Sequence, residues 1–185
     1  DLCGGEMPFD SFHRRSAGDG VVVPALKAGV DVSRLRRIEK DGAAPFLVLR
    51  CNGVRIFCRG GNWGMDDGMK RVSRERLEPA FRLHREEGFN MVRNWTGEST
   101  EELFYTLCDE YGLLVWNDFW LSTEGYNQNV NDEELFMANA RETVRRFRNH
   151  PSLAVWCPRN EGYATPTLEP RLAALIARED GTRFY

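Results

Sequence analysis

The residues best equipped for chemistry recur at one place in the sequence pattern, directly after each short apolar run. Asn62, Trp63 and Asp67 follow the first run, and Arg93, Asn94 and Trp95 end the second. Asn117, Asp118 and Trp120 end the third, and Arg159, Asn160 and Glu161 the fourth. Carboxylates, amides, guanidinium groups and indoles together suit a polyhydroxylated ligand: aromatic faces stack on the C–H faces of sugar rings, while Asn, Asp and Arg bond hydroxyls. The set lacks a Gly-rich phosphate loop and a His beside a nucleophilic Ser or Cys. Cys3, Cys51, Cys58, Cys108 and Cys157 are odd in number and unsuited to zinc by spacing. No metal and no cofactor is expected, and the thiols read as small buried or incidental groups.

The elements that must position these residues follow a strand, helix, strand, helix order. FNMVRNW, LLVWNDF and SLAVWCP are nearly continuous apolar runs, as strands buried on both faces of a parallel sheet should be, and Arg183 to Tyr185 open another. Helical spacing follows each strand. Ser73 starts a helix through Leu77, Ala80, Phe81 and His84, with Pro79 tolerable only near its first turn. Ser99 and Glu102 form a capping box for a helix through Leu103, Leu107 and Tyr111, closed by Gly112. Asp132 to Arg148 presents Leu135, Asn139, Val144 and Phe147 along one side, and Thr167 to Glu179 is closed by Gly181. Such βα units form either an open doubly wound sheet or a (β/α)8 barrel, and periodicity does not choose between them. In both, strand C-termini share one rim, so the polar groups converge there. Trp116 and Trp156, in mid-strand, are expected in the core. Trp63, Trp95 and Trp120, beyond strand ends, are expected at the ligand.

Composition narrows the class. With 42% hydrophobic and 29% charged residues the chain has an ordinary globular balance, enough to bury a core. A net charge of -3 with interleaved signs supplies no field for polyanions, so no nucleic-acid partner is expected. No apolar run approaches the about 18 residues of a membrane span, so no membrane partner is expected. Before the βα units, residues 1 to about 40 read as strands and loops around Val21 to Val23, and Asn52-Gly53 between apolar runs marks a hairpin. The sequon Asn94-Trp95-Thr96 falls at a strand end facing a cleft and is expected to be unmodified.

HPSLAVWCPRNEG resembles the fourth barrel strand of glycoside hydrolase family 2, where a His-Pro-Ser start leads to Asn-Glu. NGVRIFCRGGNW resembles the opening of that family's barrel, and GFNMVRNW and YGLLVWNDFW its second and third strands, in the correct order over residues of about 52 to 185. The resemblance implies a fold of class α/β: a partial (β/α)8 TIM barrel, about the first four βα units, over residues 51–185. The tail of an immunoglobulin-like β-sandwich would occupy residues 1–50. It also implies a retaining double displacement on β-glycosides with two carboxylic acids about 5 Å apart. Glu161 matches the acid/base, Asn160 the residue that bonds the sugar 2-hydroxyl, and Arg93 the arginine that keeps the nucleophilic carboxylate ionised. Trp63, Asp67, Trp95 and Asp118 would line the sugar subsite.

The family's nucleophile, a Glu of the seventh strand, has no counterpart here, so the chain alone is expected to be inactive and to need the remainder of its own barrel as partner. The wording GGNWGMDD and RNEG is similar to the β-mannosidase and exo-β-glucosaminidase branch, with a mannoside the first choice of carbohydrate substrate. NWTGES departs from the usual β-mannosidase turn after the second strand, and the glucosaminidase branch commonly carries Asp where Glu161 stands. That substrate class favours a periplasmic or secreted location. The rival readings are a carbohydrate-binding relative without hydrolysis and a self-contained doubly wound domain. The second would need a phosphate-binding first turn that Arg59-Gly60-Gly61-Asn62 does not complete.

Overall fold

The computed structural model describes residues 38–41, 44–47, 49–51, 54–65, 67–121, 130–161 and 165–185. The run Val21 to Val23 and the pair Asn52-Gly53 lie outside the described residues. Two antiparallel hairpins come first: β1 (Ile38–Asp41) pairs with β2 (Ala44–Leu47), and β3 (Leu49–Cys51) with β4 (Val54–Ile56). Cys51 stands opposite Val54, the register that a two-residue hairpin connection requires.

Four parallel strands follow: β5 (Gly60–Trp63), β6 (Met91–Asn94), β7 (Leu114–Asp118) and β8 (Leu153–Cys157), each hydrogen-bonded to the next. Phe184 extends this order by a parallel bridge to Val155. A doubly wound sheet reverses its strand order at a switch point. This sheet adds strands in sequence order without reversal, as a barrel does.

Helices α1 (Arg74–Glu86), α2 (Glu102–Tyr111), α3 (Glu133–Phe147) and α4 (Leu168–Glu179) alternate with the strands. Ser73 caps α1 by accepting from the Arg76 amide, and Asp132 caps α3 by accepting from Leu135. Gly112 ends α2 in the left-handed region at φ 64°, where a residue with a Cβ would be strained. Three expectations change. Pro79 lies within α1, past its first turn, on the exposed side where the lost hydrogen bond costs least. The capping box of α2 does not form, because Ser99 is held by Asn94 and Trp63 and Glu101 takes the cap position. α3 buries Phe136, Met137, Ala140, Val144 and Phe147 and leaves Leu135 59% exposed. The spacing 136, 140, 144, 147 is wholly apolar, whereas the expected stripe required burying Asn139.

The sheet separates two cores. On the helix side Leu77, Phe81, Val92, Phe104, Val115 and Trp156 belong to one continuous cluster. On the opposite face Leu49, Leu114, Ala154 and Val155 pack with Ile56, Met91, Trp116 and Phe184. Leu49 and Ile56 are cross-strand partners, so the β3–β4 hairpin plugs the face that a closed barrel turns inward. Cys58, Cys108 and Cys157 are free thiols, as expected, while Cys51 is disulfide-bonded. Among the described residues no helix is long and apolar enough to cross a membrane, and no cluster of His, Cys, Asp and Glu could hold a metal ion.

Two polar groups tie α2 and the next strand to the start of β8. Asp180 and Arg183, both wholly buried, form an ion pair at 3.2 Å, and Arg183 also donates to the Leu153 and His150 carbonyls. His150 lies between Asp109, 2.6 Å from Nδ1, and Glu102, 2.8 Å from Nε2. Burial pulls its pKa down, but the hydrogen bonds and charges of Asp109 and then Glu102 outweigh burial, and the net shift is upward from 6.5. The stabilisation is therefore complete below the unfolded value and lost as pH rises through the higher folded value. Urea unfolding of the protein carrying the complete barrel should show stability falling above about pH 6.5, with His150→Gln flattening that slope. A slope identical in parent and variant would remove His150 as its source.

Candidate active site

A strand turns successive side chains to opposite faces, and the parallel register carries that choice across the sheet. Asn62, Arg93 and Trp116 occupy one register row, and Trp63, Asn94 and Asn117 the next. The first row faces a cleft of about 430 Å³ with Gly60, Met91, Cys157 and Asn160. The second row faces the helices. Trp63 packs on Phe81 and Phe104, with ring centroids 4.9 and 5.7 Å away, and donates its indole N–H to Ser99 Oγ. Asn94 is 0% exposed and donates to the Ser99 carbonyl at 2.8 Å and to Asn117 Oδ1 at 2.7 Å. Asn94, expected at a cleft-facing strand end, is instead sealed between the sheet and the helices.

Asp118 anchors the cleft. Its buried carboxylate accepts from Arg93 Nη2 at 2.6 Å, Arg93 Nε at 3.2 Å, Trp116 Nε1 at 3.0 Å and the Thr96 amide at 3.1 Å. The turn Trp95–Gly97 supplies that amide at a cost: Thr96 sits at φ 51°, strained for a β-branched residue. Gly97, at φ +65°, has no room for a Cβ, which would lie 2.6 Å from the Asp118 carbonyl oxygen and 3.1 Å from Trp120. Held in this way, Arg93 directs Nη2 at Asn160 Oδ1, 2.8 Å away, and Nη1 at Asn62 Oδ1, 3.5 Å away. Trp95 Nε1 donates to the same Asn160 oxygen at 2.9 Å, and the Asn160 backbone N–H donates to the Leu121 carbonyl at 2.9 Å. Glu161 follows, exposed, four residues past the end of β8.

The structure thus joins Arg93, Asp118, Asn160 and Trp95 in one network, with Glu161 beside it. Asp118 lies behind Arg93 rather than at the cleft surface. Trp63 and Asp67, expected at the sugar subsite, are placed elsewhere. Asp67 accepts from Arg71 Nε at 2.8 Å and from the Met69 and Arg71 amides, and these bonds, the Arg71 side chain first, hold its carboxyl down to about 2. It fastens a turn. Trp120 packs edge-on against Phe136. Trp156 is core, stacked on Phe119 and bonded to Asp180. Trp116, also expected in the core, lines the cleft, and its two-residue spacing from Asp118 on one strand was the signal for it. Arg159 is buried outside the cleft lining, and its Nε has no acceptor among the described residues.

The family model for the TIM barrel domain of glycosyl hydrolases family 2 matches residues 47–184. This chain belongs to that family. Within family 2 it is 39% identical over 137 residues to a mannosylglycoprotein endo-beta-mannosidase of Lilium longiflorum, covering 68% of this chain and 14% of the relative. It is 40% identical over 114 residues to beta-mannosidase B of Thermothelomyces thermophilus, covering 60% of this chain and 13% of the relative. The chain therefore spans about one seventh of these curated relatives. Among solved structures, a beta-D-mannosidase from Dictyoglomus thermophilum superposes with TM-score 0.66 at 29% identity, over 81% of this chain and 21% of that one. Beta-glucuronidase 2 of Bacteroides uniformis gives 0.58 at 25% identity, over 71% and 18%.

Removing Asp118 should disturb this family 2 site by leaving the Arg93 guanidinium without its counter-charge. Asp118→Ala is expected to cost about 3 kcal/mol in urea unfolding of the protein carrying the complete barrel, with Gly97→Ala costing about 1–3 kcal/mol through backbone strain. A loss for Asp118→Ala within about 0.5 kcal/mol, the range of ordinary surface substitutions, would show that the carboxylate is not the anchor.

Proposed function

We propose that the protein carrying this chain is a retaining β-glycosidase acting on β-mannosides, with Glu161 as its acid/base. The observation that carries this reading is that Arg93 and Asn160 line the cleft, with Trp95 bonded to Asn160, immediately before Glu161. Membership of family 2 and the β-mannosidase names of the similar relatives support the reaction and the sugar. Glu161 is exposed and forms no hydrogen bond or ion pair with the described residues, so it is free to meet a leaving group.

In this reading Glu161 first donates a proton to the glycosidic oxygen while a second carboxylate attacks the anomeric carbon. It then takes a proton from the water that releases the sugar. Arg93 supplies positive charge where that second carboxylate must stay ionised. Asn160 offers a hydrogen bond to the sugar's 2-oxygen, worth most as oxocarbenium character develops. The nucleophile is assigned to no residue of this chain, and the reading needs the rest of the barrel. The antiparallel hairpin β1–β2, and the family match that starts at residue 47 and includes the β3–β4 hairpin, support a boundary just before β3 between a sandwich tail and the barrel.

Glu161→Ala in the complete enzyme should slow glycosides with poor leaving groups by about 10²–10⁴-fold and spare the first step with activated aryl mannosides. Azide should restore turnover with retained configuration by occupying the vacated space. Equal losses with poor and activated leaving groups, and no response to azide, would remove Glu161 from the acid/base role.

A further inference from the structure

Asn160 has one acceptor atom in its side chain, and that atom is already filled. Its Oδ1 receives Arg93 Nη2 at 2.8 Å and Trp95 Nε1 at 2.9 Å, two donors for two lone pairs. Neither neighbour can accept a hydrogen bond, since guanidinium and indole N–H groups only donate. A flipped amide would set its NH2 against both of them. The orientation is therefore dictated by the partners. Asn160 Nδ2 bonds none of the described residues, and Asn160 lines the cleft.

The geometry points to Trp95 as a positioning residue that, with Arg93, locks the Asn160 amide with its NH2 toward the sugar. The cleft then selects glycosides whose C2 substituent offers a neutral oxygen acceptor and rejects those with a C2 ammonium. This inference rests on the reading of Asn160 as the group facing C2. A hydroxyl oxygen at C2 accepts from Nδ2. An ammonium has no lone pair, so it would meet donors on Asn160 with the Arg93 cation behind them. The Asp118 carboxylate does not relieve that repulsion, because it is fully buried and both oxygens are occupied by Arg93, Trp116 and Thr96. Trp95 thereby acts through its N–H, and that bond is separable from its aromatic bulk by substitution.

The test uses the complete enzyme with three activated aryl glycosides: a β-mannoside, its 2-deoxy counterpart and a 2-amino-2-deoxy-β-mannoside at a pH where the amine is protonated. The parent should strongly prefer the 2-hydroxyl substrate to the ammonium one. Trp95→Phe keeps an aromatic face but removes the N–H, and should lower the kcat ratio of 2-hydroxyl to 2-deoxy substrate about tenfold, with KM changed less than kcat. Asn160→Asp keeps the shape but turns an acceptor toward the sugar, so it should raise turnover of the ammonium substrate relative to the 2-hydroxyl one. It decides the matter where Trp95→Phe fails to fold. An unchanged ratio in Trp95→Phe, or a parent that accepts the ammonium glycoside as readily as the mannoside, overturns the lock. A parent that turns over none of the three overturns the glycosidase reading as well, whereas activity without the shifted ratios overturns the lock alone.

Discussion

One buried carboxylate organises this rim. Asp118 is 0% exposed, and an ionised group in that position is tolerable only if charge and hydrogen bonds replace the water it has lost. Its donors come from three elements: the Arg93 fork from β6, the Trp116 indole from β7 and the Thr96 amide from the turn after β6. Satisfying Asp118 fixes the plane of the guanidinium, which in turn places Nη2 on Asn160 across β7. The strained Thr96 and the cramped Gly97 are the local cost of bringing an amide to the same oxygen.

The two faces of the sheet divide the polar residues between stability and chemistry. Asn94 and Asn117 satisfy each other, Tyr105 and Ser99 on the helix side, so polar groups at a strand end serve there as a sealed joint between strands and α2. Trp63 adds its ring to that joint. On the other face the hairpin residues Leu49 and Ile56 pack with Leu114, Ala154 and Val155, while the polar ends of the same strands stay open to the cleft. Each strand thus combines a packed helix-facing side with an opposite side that is apolar toward its start and polar toward its end.

This division explains what could be read from the sequence. Strand and helix positions were legible because apolar runs and helical spacing are local: Ser73 and Asp132 stand at the starts of the helices expected to begin there, and Gly112 ends α2. The rim was legible because every strand C-terminus in a parallel sheet lies at the same end. The side of the sheet was not read. Trp63 and Asn62 are neighbours in sequence, yet one enters the core and the other faces the cleft, and the deciding register depends on pairing with residues some 30 positions away. Asp67 differs for another reason: a carboxylate near a strand end fits a turn cap as well as a ligand, and its partners, the Met69 amide and the Arg71 amide and side chain, all lie within four residues of it. Trp116 and Asp118 could have been placed together from their period of two along one strand.

The network also explains why Arg93 must be an arginine. Its guanidinium meets both oxygens of Asp118, the amide oxygen of Asn160 and, at longer range, that of Asn62. These acceptors lie on three other strands or strand ends, so only a planar group with several N–H vectors can span them. A lysine would retain the charge but concentrate its donors on one nitrogen, and could not grip Asp118 in two places while still reaching Asn160. Asn160 would then keep only the Trp95 bond, and one donor on an amide oxygen restrains rotation less than two. The charge beside the cleft and the orientation of the group facing it thus depend on a single side chain, and that side chain depends on a carboxylate that never reaches the surface.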